Sequence, residues 1–251
     1  LKSSGGDYSL MSTWESTEQT DLVSAGDTHV LECDAFTCTD WVWINGWTTS
    51  ATNNITIKAA AGHEHGGVVD AGFILQGTVN LQPILYPFHS DTIVKDIQVN
   101  QLGSGPAVDL SAAGASYLKI DRLIVKSASS NSTYPAVEFG TSNGSSIKNC
   151  LVLCSSTTVG IGNVSGTTFY SAYNNTVIGG SVGIKSVDNY GGSISNNVCY
   201  GNTTCFSIAG QAPSGTNNAS GDSTAHGTSP VTSITSAAFK GNPAAVCLLE
   251  K

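Results

Sequence analysis

Five segments of this sequence can be written one beneath another, and their spacing limits the fold more than any other feature. They are VKDIQV from Val94, IDRLIV from Ile120, IKNCLV from Ile147, AYNNTV from Ala172 and ISNNVC from Ile194, with starts 26, 27, 25 and 22 residues apart. A second series fills the gaps: AVDL from Ala107, AVEF from Ala136, VGIG from Val159, VGIK from Val182 and CFSI from Cys205. Two strand motifs sharing one period near 25 residues predict a solenoid of parallel strands. One such coil cannot bury its apolar face alone, whereas stacked coils share a continuous core. A β-sandwich, the competing arrangement, would bring turns roughly every 8–12 residues without the doubled period.

The columns carry their own chemistry. Val99, Val125, Val152, Val177 and Cys199 fall in one column and are expected to point inward. Asn149, Asn174 and Asn196 fall in another. Asparagine at a repeated corner tolerates a left-handed backbone and can hydrogen-bond the asparagine of the next coil, about 4.8 Å away.

Along the chain, residues 1–52 read as a helical cap and first strands, 53–210 as coils, and 211–251 as a C-terminal loop, strand and apolar tail, all in one continuous domain. The spacing predicts a helix over 9–22 that seals the N-terminal end. Ser12 and Glu15 have capping-box spacing, and Leu10, Trp14 and Leu22 can share one face. The alternating stretch WVWINGW reads as strand. In the tail, Val246, Leu248 and Leu249 would be costly to leave in water, at roughly 1.5–3 kcal/mol per large side chain. A partner copy would cover them, and closed symmetry is the usual outcome, so a homo-oligomer, expected as a trimer, follows.

Composition excludes several classes. Only 11% of residues are charged, the net charge is -8, and Arg122 is the sole arginine, so a nucleic-acid-binding face is not expected. No apolar run approaches the roughly 18 residues of a membrane helix. Seven cysteines, an odd number without C-x-x-C spacing, argue against a disulfide framework and against a metal site. No metal and no cofactor are expected.

The phrases DYSLMSTWESTEQTDLVSAGD and INGWTTSATNNITIKAAAGHEHGG, the repeated I-x-N segments and GTNNAS together resemble a known type of domain. It is the right-handed parallel β-helix of the pectin-lyase-like superfamily, and the likeness covers about residues 7–240. The resemblance implies an all-β, single-stranded right-handed parallel β-helix with an N-terminal capping helix. Such domains occur in tailed-phage, prophage and secreted bacterial proteins. The expected function is therefore a non-enzymatic structural protein on a virion surface, a capsid decoration or a tail appendage. Its expected location is the virion surface or the extracellular space. Its partners would be itself, coat or tail proteins, and cell-surface polysaccharide. Two alternatives stay open: a polysaccharide lyase or glycoside hydrolase of the same fold, and a secreted adhesin or filament subunit.

Catalytic candidates are few. Between residues 100 and 210 the acids are Asp109, Asp121, Glu138 and Asp188. Asp109 and Glu138 share a column of the second series, which puts their carboxyls about 5 Å apart, the separation of a retaining glycosidase pair. A solvated acidic ladder explains them as well, and no catalytic residue is assigned. Arg122 beside Asp121 reads as a neutralised surface strand. His63 and His65 supply too few ligands for a metal and read as part of a loop packed on the first coils. Trp41, Trp43 and Trp47 are candidate carbohydrate platforms, with burial in the core as the competing role.

Overall fold

The computed structural model describes residues 1–112, 116–140, 143–155, 157–163, 169–189, 191–240 and 248–249. The chain is a parallel β-helix of about seven turns with about 26 residues per turn. Each coil passes through three sheets. The first sheet has eight strands, from His29–Cys33 and Ile55–Ala59 through to Ser214–Thr216. The second has eight, from Thr37–Thr39 and Ile74–Gly77 through to Ala219–Ser220. The third has seven, from Val42–Ile44 and Leu85–Pro87 through to Thr204–Ala209. All pairings between consecutive coils are parallel.

The first repeat series is the structural register. Val94, Ile120, Ile147, Ala172 and Ile194 are successive partners in the first sheet. Val99, Val125, Val152, Val177 and Cys199 are successive partners in the second, and all five are fully buried. Leu75 and Cys38 continue that column toward the N-terminus. The core is this stack of small and branched side chains, with Trp14 at its N-terminal end.

Between the first two sheets six successive coils turn through a left-handed residue: Asp96, Arg122, Asn149, Asn174, Asn196 and Asn217. The three expected asparagines are among them. Asn174 donates to Asn149 Oδ1 at 3.3 Å, and Asn149 donates to Asp121 Oδ1 at 2.8 Å. A tighter ladder lies one residue further on, inside the turn. Asn175 Nδ2 donates to Asn197 Oδ1 at 3.0 Å, and Asn197 Nδ2 to Asn218 Oδ1 at 3.1 Å. The same carboxamide oxygens accept the backbone N–H of Asn175 and Asn197. Buried amides are stable there because every donor and acceptor has a partner.

The second series is slipped by one residue at two places. Val137 pairs with Ile161, and Ile184 with Phe206, so Gly160 and Gly183 rather than Val159 and Val182 stand level with Ala136 and Cys205. Steric crowding explains the glycines. A Cβ at Gly160 would lie 2.4 Å from Val177 Cγ1, and one at Gly183 would lie 2.7 Å from Cys199 Sγ.

The N-terminal cap is two helices, α1 at Met11–Glu18 and α2 at Leu22–Ala25, rather than one. Met11, Trp14 and Leu22 are buried, while Leu10 is exposed and precedes α1. The expected capping box does not form. The Ser12 amide donates instead to Asp40 Oδ2 of the first coil at 2.8 Å. Glu15 Oε1 accepts from the Asn45 amide at 2.8 Å, closing a free N–H at the outer edge of the third sheet. The C-terminal edge of that sheet is closed the same way. Asp222 Oδ2 accepts from Cys205 N and Thr224 Oγ1 from Phe206 N, both at 2.9 Å.

The coils extend beyond 53–210 at both ends. His29–Ile44 forms a full first coil in register with the second, and Ser214–Ser220 adds two strands within the segment expected as loop. In the tail, Leu248–Leu249 pairs antiparallel with Phe239–Lys240, and Val246 lies outside the described residues.

The inward column yields a prediction. Val125→Asp places an unpaired charge among fully buried neighbours and is expected to cost at least about 3 kcal/mol. Loss of the cooperative thermal transition in circular dichroism checks it.

Candidate functional site

Alternation along the third sheet separates core from face. Val42, Leu85, Val108, Val137, Ile161 and Ile184 point inward and are buried. The residue after each points outward. Register therefore builds one outward column, coil by coil: Trp43, Tyr86, Asp109, Glu138, Gly162, Lys185 and Ser207. It runs from aromatic to acidic to basic along the helix axis.

Its aromatic end is a continuous chain of rings. Trp41 and Trp43 meet edge to face with centroids 5.8 Å apart, Trp43 and Tyr86 at 5.6 Å, and Tyr86 and Phe88 at 5.5 Å. Trp41, Trp43 and Phe88 remain 46%, 41% and 38% exposed. Edge-to-face contact fixes the ring positions while leaving ring surface in water. Trp47 takes the competing role in the core rather than that of a third platform. It is 2% exposed and packs against Trp14 and His29, because the chain has by then turned at Gly46 toward the helical cap. Trp14 is fully buried there and donates to His29 Nε2 at 3.0 Å.

Asp109 and Glu138 are direct partners on adjacent strands, as the column predicts. Asp109 is half-buried, and its Oδ1 accepts from the Ser111 amide at 2.7 Å. Glu138 is 6% exposed and makes no hydrogen bond or ion pair with any described residue. Burial, reinforced by the Asp109 charge, pushes the Glu138 carboxyl from 4.5 up to about 8. Burial also raises the Asp109 carboxyl, against the opposing hydrogen bonds from Ser111. Burial raises the Tyr86 hydroxyl, and the Asp109 charge adds to it. Like charges one strand apart in a poorly solvated place cannot both ionise freely, so Glu138 retains its proton at neutral pH.

The other candidates are structural. Arg122 is tied to Asp96 through Nε at 2.6 Å and Nη2 at 2.8 Å, and to Asp121 through Nη1 at 2.8 Å. His63 Nδ1 accepts from the Ala35 amide, and His65 Nε2 lies 2.7 Å from the Arg122 carbonyl oxygen, so both pin their loop onto the coils. Cys33, Cys38, Cys150, Cys199 and Cys205 are buried free thiols. No cluster of three metal-ligating side chains occurs among the described residues.

Tyr86 and Phe88 belong to the site although the repeats did not include them. The signal for Tyr86 is present in the sequence. ILYP from Ile84 and WVWI from Trp41 continue the second series toward the N-terminus, with the aromatic at its third position. Searches of protein-family models, curated proteins and solved structures find no match to this chain.

The acid pair has a pH signature. Because burial holds Glu138 above its ordinary value, the unfolded chain loses its proton first. Stability from this group is full below about pH 4.5 and falls as pH rises toward 8, by on the order of a few kcal/mol. Asp222, whose carboxyl is held low by hydrogen bonds from Thr224 and Cys205, acts in the acid range below this window. Urea midpoints measured from pH 5 to 8 are expected to fall more steeply for the native chain than for Glu138→Gln.

Proposed function

We propose that this chain is a rigid β-helical projection on a virion surface or in the extracellular space, and that it binds carbohydrate along the outer face of its third sheet. The supporting observation is the ring chain Trp41, Trp43, Tyr86 and Phe88, held half-exposed on a regular sheet. Large aromatics fixed in place yet open to water suit the apolar faces of sugar rings. Adjacent coils stand about 4.8 Å apart, close to one pyranose unit of an extended glycan, so successive coils would meet successive sugars. The resemblance to pectin-lyase-like β-helices supplies the setting, and a capsid decoration or tail appendage touching coat or tail proteins is its simplest form.

Self-association fits this reading, most simply as a trimer through residues 241–251. The acids at both ends of the third sheet occupy free strand N–H groups, which favours side-by-side association over end-to-end stacking. Light scattering is expected to give a trimer for the full chain and a monomer after deletion of 241–251.

A second reading, glycan cleavage, is favoured by one observation, the direct pairing of Asp109 with a protonated Glu138. One panel of neutral and acidic polysaccharides separates the two. Trp43→Ala is expected to weaken binding about tenfold, the equivalent of one lost aromatic contact of roughly 1.4 kcal/mol. No new reducing ends or unsaturated products are expected. Products that vanish in Glu138→Gln would establish the enzyme.

A further inference from the structure

We propose that residues 60–73 are an acid-opened strap: neutral His63 and His65 fasten it across the outer face of the second sheet, and protonation of the two imidazoles releases that end. The strap fills the corner between Ile55–Ala59 and Ile74–Gly77, a corner that takes only residues 96–97 one coil on. Gly62, Gly66, Gly67, Asp70 and Gly72 within it all have positive φ. A glycine-rich segment loses much conformational entropy on ordering, so the strap depends on its contacts with other coils.

Those contacts fall into two groups. At one end the Asp70 amide donates to Gln98 Oε1 at 2.8 Å, Gln98 Nε2 donates to Asp70 Oδ1 at 3.0 Å, and Lys126 Nζ reaches Asp70 Oδ1 at 2.8 Å and Oδ2 at 3.0 Å. At the other end the two histidines act. His63 Nδ1 accepts from the Ala35 amide of the first coil at 2.8 Å. His65 Nδ1 accepts from the Gly67 amide at 2.9 Å, so its proton sits on Nε2, which donates to the Arg122 carbonyl oxygen at 2.7 Å. Ile124 lies under this span. It alternates with the inward Val125 and so points away from the core, yet it is 1% exposed. The strap's bonds land two residues before it, at Arg122, and two after it, at Lys126. Apolar surface on the second sheet is thus covered by a segment fastened through a histidine tautomer.

Both Nδ1 acceptors exist only while the rings are neutral. A second proton on each ring goes to Nδ1, where it meets a backbone N–H instead of offering a lone pair, and the Ala35 and Gly67 amides lose their acceptors together. Closure therefore holds above the range in which imidazoles titrate and is lost as pH falls through it. The charged groups around the pair are Asp34, paired with Lys2, on the first coil; Arg122, held by Asp96 and Asp121, and Lys126 on the sheet beneath; and Glu64 and Asp70 within the strap. Burial pushes the Cys33 and Cys150 thiols up to about 12, so both stay neutral. Lys126 and Gln98 hold the Asp70 carboxyl below its usual range, so that end stays fastened in mild acid while the histidine end lifts.

Amide hydrogen exchange read by NMR on the full chain, from about pH 7.5 down to about pH 5.5, tests this, with each rate referred to the intrinsic rate at that pH. Protection of the Ala35 and Gly67 amides is expected to fall at least about tenfold on acidification, while the amides of Val99 and Val125 keep theirs. The imidazole nitrogen shifts of His63 and His65 are expected to show one protonated nitrogen per ring at the upper pH and two at the lower. A double variant, His63→Asn with His65→Asn, supplies amide oxygens that accept a hydrogen bond without titrating and is expected to abolish the pH dependence. Unchanged protection of the native chain across this range, or rings that stay neutral at its acid end, would overturn the opening. A fall in protection that persists in the folded double variant would overturn the histidine assignment. Should the double variant not fold, the native chain decides alone: loss of protection that does not track protonation of the two rings would overturn the proposal.

Discussion

The left-handed corner between the first and second sheets recurs in six successive coils, and the register of both sheets hangs on it. A strand slipped by one residue turns its buried set out to solvent, so each corner must redirect the chain by the same amount. The left-handed conformation is unfavourable for most residues, and asparagine and aspartate bear it best because their short polar side chains bond locally. Four of the six corners are asparagine and one is aspartate. The exception, Arg122, is clamped by Asp96 and Asp121 from its own and the preceding coil. The buried ladder of Asn175, Asn197 and Asn218 then ties the inside of the same turn, so the corner is held from both sides.

Once the corner sets the register, the third sheet has no freedom over which residues it shows. Its apolar positions go inward, and the intervening ones line up whether or not their chemistry is compatible. Aromatics stack readily in such a column. Two carboxyls do not, and the molecule meets the conflict by keeping a proton on Glu138 rather than by recruiting a lysine. The outward column is thus a product of the same periodicity that builds the core.

Much of this was legible in the sequence, and the parts that were not have physical reasons. The first repeat series gave the correct partners in each of its five coils because its inward residues are apolar and its corner residues are distinctive. The second series slipped at Val159 and Val182 because Gly160 and Gly183, which the crowding of Val177 and Cys199 demands, look like spacers when read as text. The Asp109–Glu138 pairing followed from spacing alone, but the raised carboxyl depends on burial, which no spacing reports. Trp47 takes the core role because Gly46 breaks the alternation that places Trp41 and Trp43 outside. The cap was expected as one helix, and its hydrogen bonds to Asp40 and Asn45 are contacts some 30 residues distant along the chain.

The sealed edges bear on how such a molecule changes over time. Glu15 closes the third sheet at one end and Asp222 with Thr224 at the other, each acting on the coil beside it. The strands of interior coils pair only with those of their neighbours. A whole coil can therefore be gained or lost between the two seals without disturbing either, which lengthens or shortens the shaft in steps of about 4.8 Å. Reach and termination are separable properties in this architecture, and selection can act on the first while leaving the second untouched.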